Sequence, residues 1–183
     1  RRAVVIGGGL LGLEAANGLM LRGMDVTVVH IMPWLMERQL DDTAGQLLQR
    51  HPGIYMQTHV AENRAELAWV AELFPDARSY LDVYARHGLI GARSMLAHGI
   101  WLDDTDRTLL AREGAAVAHC PTSNLFLGSG LMPWRQLDDA GVQVALATDV
   151  GGGTSLSMHR TMAEAYKVQA LQHQRLPAWK ALY

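Results

Sequence analysis

The sequence predicts an α/β fold of parallel βα units, and three observations carry that expectation. Residues 3–29 read as strand, glycine turn, helix and strand. From Gly53 onward a unit recurs without sequence identity: a glycine, a short apolar strand, a polar residue at its end, then a helix. The polar residues at the ends of these strands are His59, His98, His119 and Asp149. In a parallel sheet all strand C-termini open on one side, where such folds build their active sites.

The elements follow in order. Ala3 to Ile6 is a strand, 10–21 a helix, Asp25 to Val29 a second strand, and 41–49 an amphipathic helix. The later strands are "IYMQT", "RSMLA", "AAVA" and "VQVALAT". Gly88, Gly114 and Gly141 stand where the preceding helices stop, because a helix most easily ends on a residue free to turn left-handed. Asp103 or Asp104 is an N-cap, and Pro133 suits a helix start.

A chain of 183 residues that is 49% hydrophobic can bury the core of one domain or two small ones. A formal net charge of −2, with both signs mixed along the chain, gives no reason to expect a nucleic acid or an anionic membrane as partner. The apolar stretch after Arg1-Arg2 is interrupted by Glu14 and Asn17, and no apolar run approaches the ~18 residues that would span a bilayer. One cysteine, Cys120, rules out an internal disulfide framework and fits a reducing compartment, so the cytoplasm is expected. The chain opens without methionine, as a processed or excerpted sequence would.

Three histidines and an aspartate at one end of a sheet are ligand types that suit zinc and related divalent ions, and Glu62 lies close enough to His59 to carry protons. At the other end of the chain, Gly7-Gly8-Gly9-Leu10-Leu11-Gly12 fits G-x-G-x-x-G directly after a strand and opening a helix, the context of a partial Rossmann-like βαβ unit. Gly7, Gly9 and Gly12 either face the pyrophosphate of NAD(H) or FAD or form a glycine turn that merely lets the helix pack against its strand. His30 stands where many such domains carry the acidic residue for the adenine ribose, which leaves the nucleotide open. "VGGGTS" after Asp149 lacks the Lys-Ser/Thr ending of a phosphate loop and reads as a tight turn. Cys120 beside His119 has no orienting third group and reads as packing, not as a nucleophile. Trp101 either lines a purine pocket or packs in the core.

From about Gly53 to Tyr183, "QTHVAENRAEL", "LAHG", "AHCPTSN" and "ATDVGGGTSLSM" resemble, in order and separation, the later half of the guanine deaminases of the amidohydrolase superfamily. The resemblance implies the later half of a TIM-type (β/α)8 barrel, a small purine substrate, and metal-dependent hydrolytic deamination of guanine to xanthine and ammonia. It also implies roles: His59 and Asp149 as metal ligands, Glu62 as proton shuttle, His98 beside the attacking water, and Asp149 also as base. The "HCPTSN" segment would shape the pocket, with His119 not a ligand.

Residues 1–50 resemble the NADH-binding part of the flavin-containing large subunit of assimilatory nitrite reductase. Together the resemblances imply a chimera. Residues 1–50 would be a partial dinucleotide-binding βαβα unit and 51–183 a half-barrel, joined near "LLQRHPG" without a Gly/Ser- or Pro-rich spacer. The superfamily's first barrel strand carries H-x-H, and no H-x-H occurs in these 183 residues. With two metal ligands where a catalytic zinc takes three, the ion is expected to be weakly held, or completed by water or another chain. Four barrel strands instead of eight leave open edges that invite self-association, and the competing readings are an NAD(H)- or FAD-binding oxidoreductase fragment and a non-catalytic chimeric scaffold.

Overall fold

The computed structural model describes residues 2–6, 20, 22–29, 50, 53 and 55–182. The chain divides into two compact units, Arg1–Arg50 and His51–Tyr183.

In the first unit, β1 (Arg2–Ile6) pairs in parallel with β2 (Asp25–Val29), in a register from Arg2 opposite Asp25 to Ile6 opposite Val29. Parallel neighbours need a long crossover, and residues 7–24 separate the two strands in sequence. Gly7, Gly9, Gly12 and His30 lie outside the described residues, as do the helices expected over 10–21 and 41–49, apart from Met20.

The second unit is a four-stranded parallel sheet in the order β3 (Met56–Val60), β4 (Ser94–His98), β5 (Ala116–His119), β6 (Gln143–Leu146). Between and after the strands run α1 (Arg64–Leu73), α2 (Tyr80–Arg86), α3 (Asp104–Glu113), α4 (Pro121–Leu127), α5 (Trp134–Asp139), α6 (Met158–Leu171) and α7 (Ala178–Leu182). No described helix is long and apolar enough to cross a membrane.

The expected βα repeat is therefore present, with small shifts. β3 begins at Met56 and takes in His59, and β6 stops at Leu146, three residues before Asp149. Leu96 and Val117, in the central strands, are fully buried, as are Leu81, Leu110, Leu137 and Val168 on the helices. A parallel strand covered on both faces loses its polar/apolar alternation, which is why "SMLAH" and "AVAH" read as near-continuous apolar runs.

Local signals act where expected. Asp103 caps α3: its side chain accepts from Asp106 N–H while Asp106 reaches back to the Asp103 N–H. Gly114 ends that helix at φ 70°, a left-handed conformation that glycine adopts without a Cβ penalty. Arg78 bridges Asp103 and Asp106, tying the turn before α2 to the start of α3. Among the described strands β3 pairs only with β4 and β6 only with β5.

Candidate metal centre

Turns with positive φ stand beside the functional side chains at the ends of β3 and β4 and in the loop after β6. After β3, Ala61 turns at φ 48°, and Asn63 caps α1 by accepting from Glu66 N–H at 2.8 Å. The Glu66 carboxylate in turn accepts from Glu62 N–H at 2.9 Å, so the N-x-x-E spacing fixes the backbone that carries Glu62. After β4, His98 adopts φ 70°, and the next amides fold back on β3: Gly99 N–H donates to Val60 O, and Ile100 and Trp101 N–H donate to Ala61 O.

Asp149 also lies at positive φ, 50°. Non-glycine residues rarely hold this conformation, at a cost of about 1–3 kcal/mol each, unless the surroundings enforce it. Here two site residues and Ala61 share it.

The glycines after Asp149 are what let its loop close. A Cβ on Gly153 would stand 1.9 Å from Thr148 O, and one on Gly152 3.1 Å from Asp149 Oδ2. Gly153→Ala is expected to destabilise the unit by about 1–3 kcal/mol and to weaken zinc binding by displacing Asp149. Urea unfolding and a zinc titration of the variant check both.

His59, His98 and Asp149 each offer one ligand atom, all within 4.8 Å of one another. The two imidazoles stack, with ring centroids 5.1 Å apart and planes 26° apart. His98 is buried, and its Nε2 lies 3.6 Å from Glu62 Oε2 and 3.9 Å from Asp149 Oδ2, with no hydrogen-bond partner among the described residues. Two nitrogens and a carboxylate oxygen, one nitrogen buried and unsatisfied, fit a divalent ion such as zinc. His98 can thus join the donor set, which brings together three of the four strand-end residues, where the resemblance implied only His59 and Asp149 as ligands and placed His98 beside the water.

Glu62 sits beside the cluster with Oε1 accepting from Ser129 Oγ at 2.9 Å. Nothing in the spacing predicted Ser129, which lies 67 residues further along the chain. Asn124 meets His98, its Oδ1 2.8 Å from Nδ1. Beneath β3, Tyr84 Oη donates to His59 O at 2.9 Å.

His119 stays outside the donor set. It is fully buried, edge-on to Trp134 at 5.9 Å between ring centroids, and neither ring nitrogen has a partner among the described residues. Burial, followed by the neighbouring His98, depresses its pKa to about 3 and keeps it neutral. Burial likewise pushes the Cys120 thiol up to about 12, so Cys120 is an inert core residue.

Trp101 donates from Nε1 to Ser129 O and carries the Arg64 guanidinium over its ring at 4.0 Å. It lines a cavity of about 420 Å³ with Ala61, Phe74 and Tyr80, which contains none of the donor residues.

Comparison with known proteins places this geometry. The profile of the Amidohydrolase family matches residues 22–182. The chain belongs to the amidohydrolase family. The match takes in β2, so it reaches into the unit that the sequence resemblance had set apart as nucleotide-binding.

Among amidohydrolases of known activity, guanine deaminase of Escherichia coli is 42% identical over 140 residues, 76% of this chain and 32% of its own length. The solved E. coli enzyme superposes with a TM-score of 0.76, covering 78% of this chain and 33% of that one. Guanine deaminase from C. acetobutylicum, solved with guanine in its active site, gives a TM-score of 0.77 at 26% identity over 95% of this chain and 45% of its own. The chain spans about a third of the length of the curated relatives it matches. Family membership implies a divalent metal, for which His59, His98 and Asp149 are the candidate site.

Proposed function

We propose that the second unit is the later part of a guanine deaminase site, which hydrolyses guanine to xanthine and ammonia with a divalent metal, zinc by preference. The observation that carries this reading is the convergence of His59, His98 and Asp149 within 4.8 Å, with the Glu62 carboxylate beside them. The 42% identity to guanine deaminase supports guanine over other amidohydrolase substrates.

His59 and Asp149, with His98 as a third donor, would hold the ion, which when bound would supply Lewis acidity and activate water at neutral pH. The chain's own groups move the protons. Asp149 takes the proton from water. Glu62, aimed by Ser129, passes a proton to the ring nitrogen next to the attacked carbon. A proton returned to the exocyclic amine lets ammonia leave.

The test is ammonia release from guanine, with added zinc, by this chain combined with a segment carrying the first four barrel strands and their H-x-H. Turnover that disappears in Asp149→Ala supports the reading. A fully zinc-loaded combination that leaves guanine untouched rejects it.

A further inference from the structure

We propose that Asn124 is a positioning residue that fixes the ring tautomer of His98, holding the proton on Nδ1 and presenting the Nε2 lone pair to the space shared with His59 and Asp149. The inference rests on reading that cluster as a metal site.

The two side chains are each 1% exposed, and Asn124 Oδ1 lies 2.8 Å from His98 Nδ1. An amide oxygen can only accept, so the proton of this bond belongs to Nδ1. In the neutral ring Nε2 then carries a lone pair, and it stands 3.6 Å from Glu62 Oε2 and 3.9 Å from Asp149 Oδ2. A lone pair directed toward two carboxylates is unfavourable unless a cation comes between them. Without the amide, the opposite tautomer would be preferred, because Nε2–H would then face both carboxylates. Asn124 holds the ring against that preference, in the state a metal needs.

The backbone that carries Asn124 is built to keep it there. α4 opens on Pro121, Asn124 N–H donates to Cys120 O at 3.0 Å, and Ser129 N–H closes back on Asn124 O at 2.9 Å. Gly128, at φ 72°, makes that return possible. The same short segment therefore orients His98 through Asn124 and Glu62 through the Ser129 hydroxyl. Its remaining donor, Asn124 Nδ2, has no partner among the described residues. Reversing the amide would offer that donor to Nδ1 and move the ring proton to Nε2, which is the state to be distinguished.

The experiment is two-bond nitrogen–proton correlation on the full chain after metal removal, at a pH where the His98 ring is neutral, followed by zinc titration. A pyrrole-type nitrogen at Nδ1 and a pyridine-type nitrogen at Nε2 are expected. Asn124→Leu should lose that preference and bind zinc about 10–100-fold more weakly, the usual cost of removing a hydrogen bond behind a metal-binding histidine. Asn124→Asp, which still accepts from Nδ1, should keep both the tautomer and most of the affinity. A pyrrole-type Nε2 in the unsubstituted chain, or zinc affinity unchanged in Asn124→Leu, overturns the proposal. If Asn124→Leu does not fold, the spectrum of the unsubstituted chain decides alone. The tautomer is read without metal or substrate, so failure of the guanine reading would show in the activity assay and leave this result standing.

Discussion

By itself, the 183-residue chain is expected to release ammonia from guanine about a thousandfold more slowly than the combination with an H-x-H segment, or not measurably. Activation of water by the ion contributes several kcal/mol to the transition state, and each 1.4 kcal/mol is about tenfold in rate. The three donors present can hold an ion, but the H-x-H that completes the superfamily's site does not occur in this sequence. The second unit contributes four described strands, whereas about eight are needed to close a barrel. Glu62, His98 and Asp149 can still move protons, but a weakly held ion gives them little nucleophile to direct. Ammonia release with added zinc, compared between the chain and its Asp149→Ala variant, is the measurement. Fast turnover by the chain alone, abolished in the variant, would show a working site without H-x-H.

The second large effect is on stability in acid, and it comes from His119. The unfolded side chain titrates near 6.5, whereas in the fold burial holds the pKa at about 3. A histidine kept neutral by the fold contributes its full share of stability above the unfolded pKa. As pH falls from 6.5 toward 3 the unfolded chain takes up a proton that the folded chain refuses, and stability drops by an amount on the order of a few kcal/mol. His119→Phe keeps an aromatic ring against Trp134 and removes the titration. Urea midpoints of the metal-free chain should therefore fall steeply between pH 6.5 and 4, and more gently in the variant. Parallel pH profiles for the two would contradict the assignment.

The sequence and the structure meet most closely where local rules govern. The βα repeat, the Asp103 cap, the stop at Gly114 and the tight turn of "VGGGTS" were all legible, because capping and turn chemistry are decided within a few residues. The strand-end position also picked out His59, His98 and Asp149, since in a parallel sheet that position alone settles which side of the unit a residue serves.

The groups that aim these side chains were not legible. Ser129 reaches Glu62 across 67 residues and Asn124 reaches His98 across 26, and no periodicity encodes either meeting. The stacking of the His59 and His98 rings across neighbouring strands was not legible either, although both residues were named as candidate ligand types. His119 also stands at a strand end, yet it is turned inward and buried, and position alone does not separate it from the others; only the resemblance left it out of the ligands.

The sheet order β3-β4-β5-β6 repeats the order of the chain, so every pairing joins a strand to its next neighbour in sequence. The centre is therefore drawn from successive segments of the chain: β3 brings His59 and the turn after it Glu62, β4 adds His98, the segment after β5 adds Asn124, and the loop after β6 adds Asp149. Each step closes a loop of one βα unit only, which keeps the entropy of closure low and lets the sheet zip from one side. On that order the two histidines come into place before the aspartate, and an ion would find all three of these donors only when β6 is home.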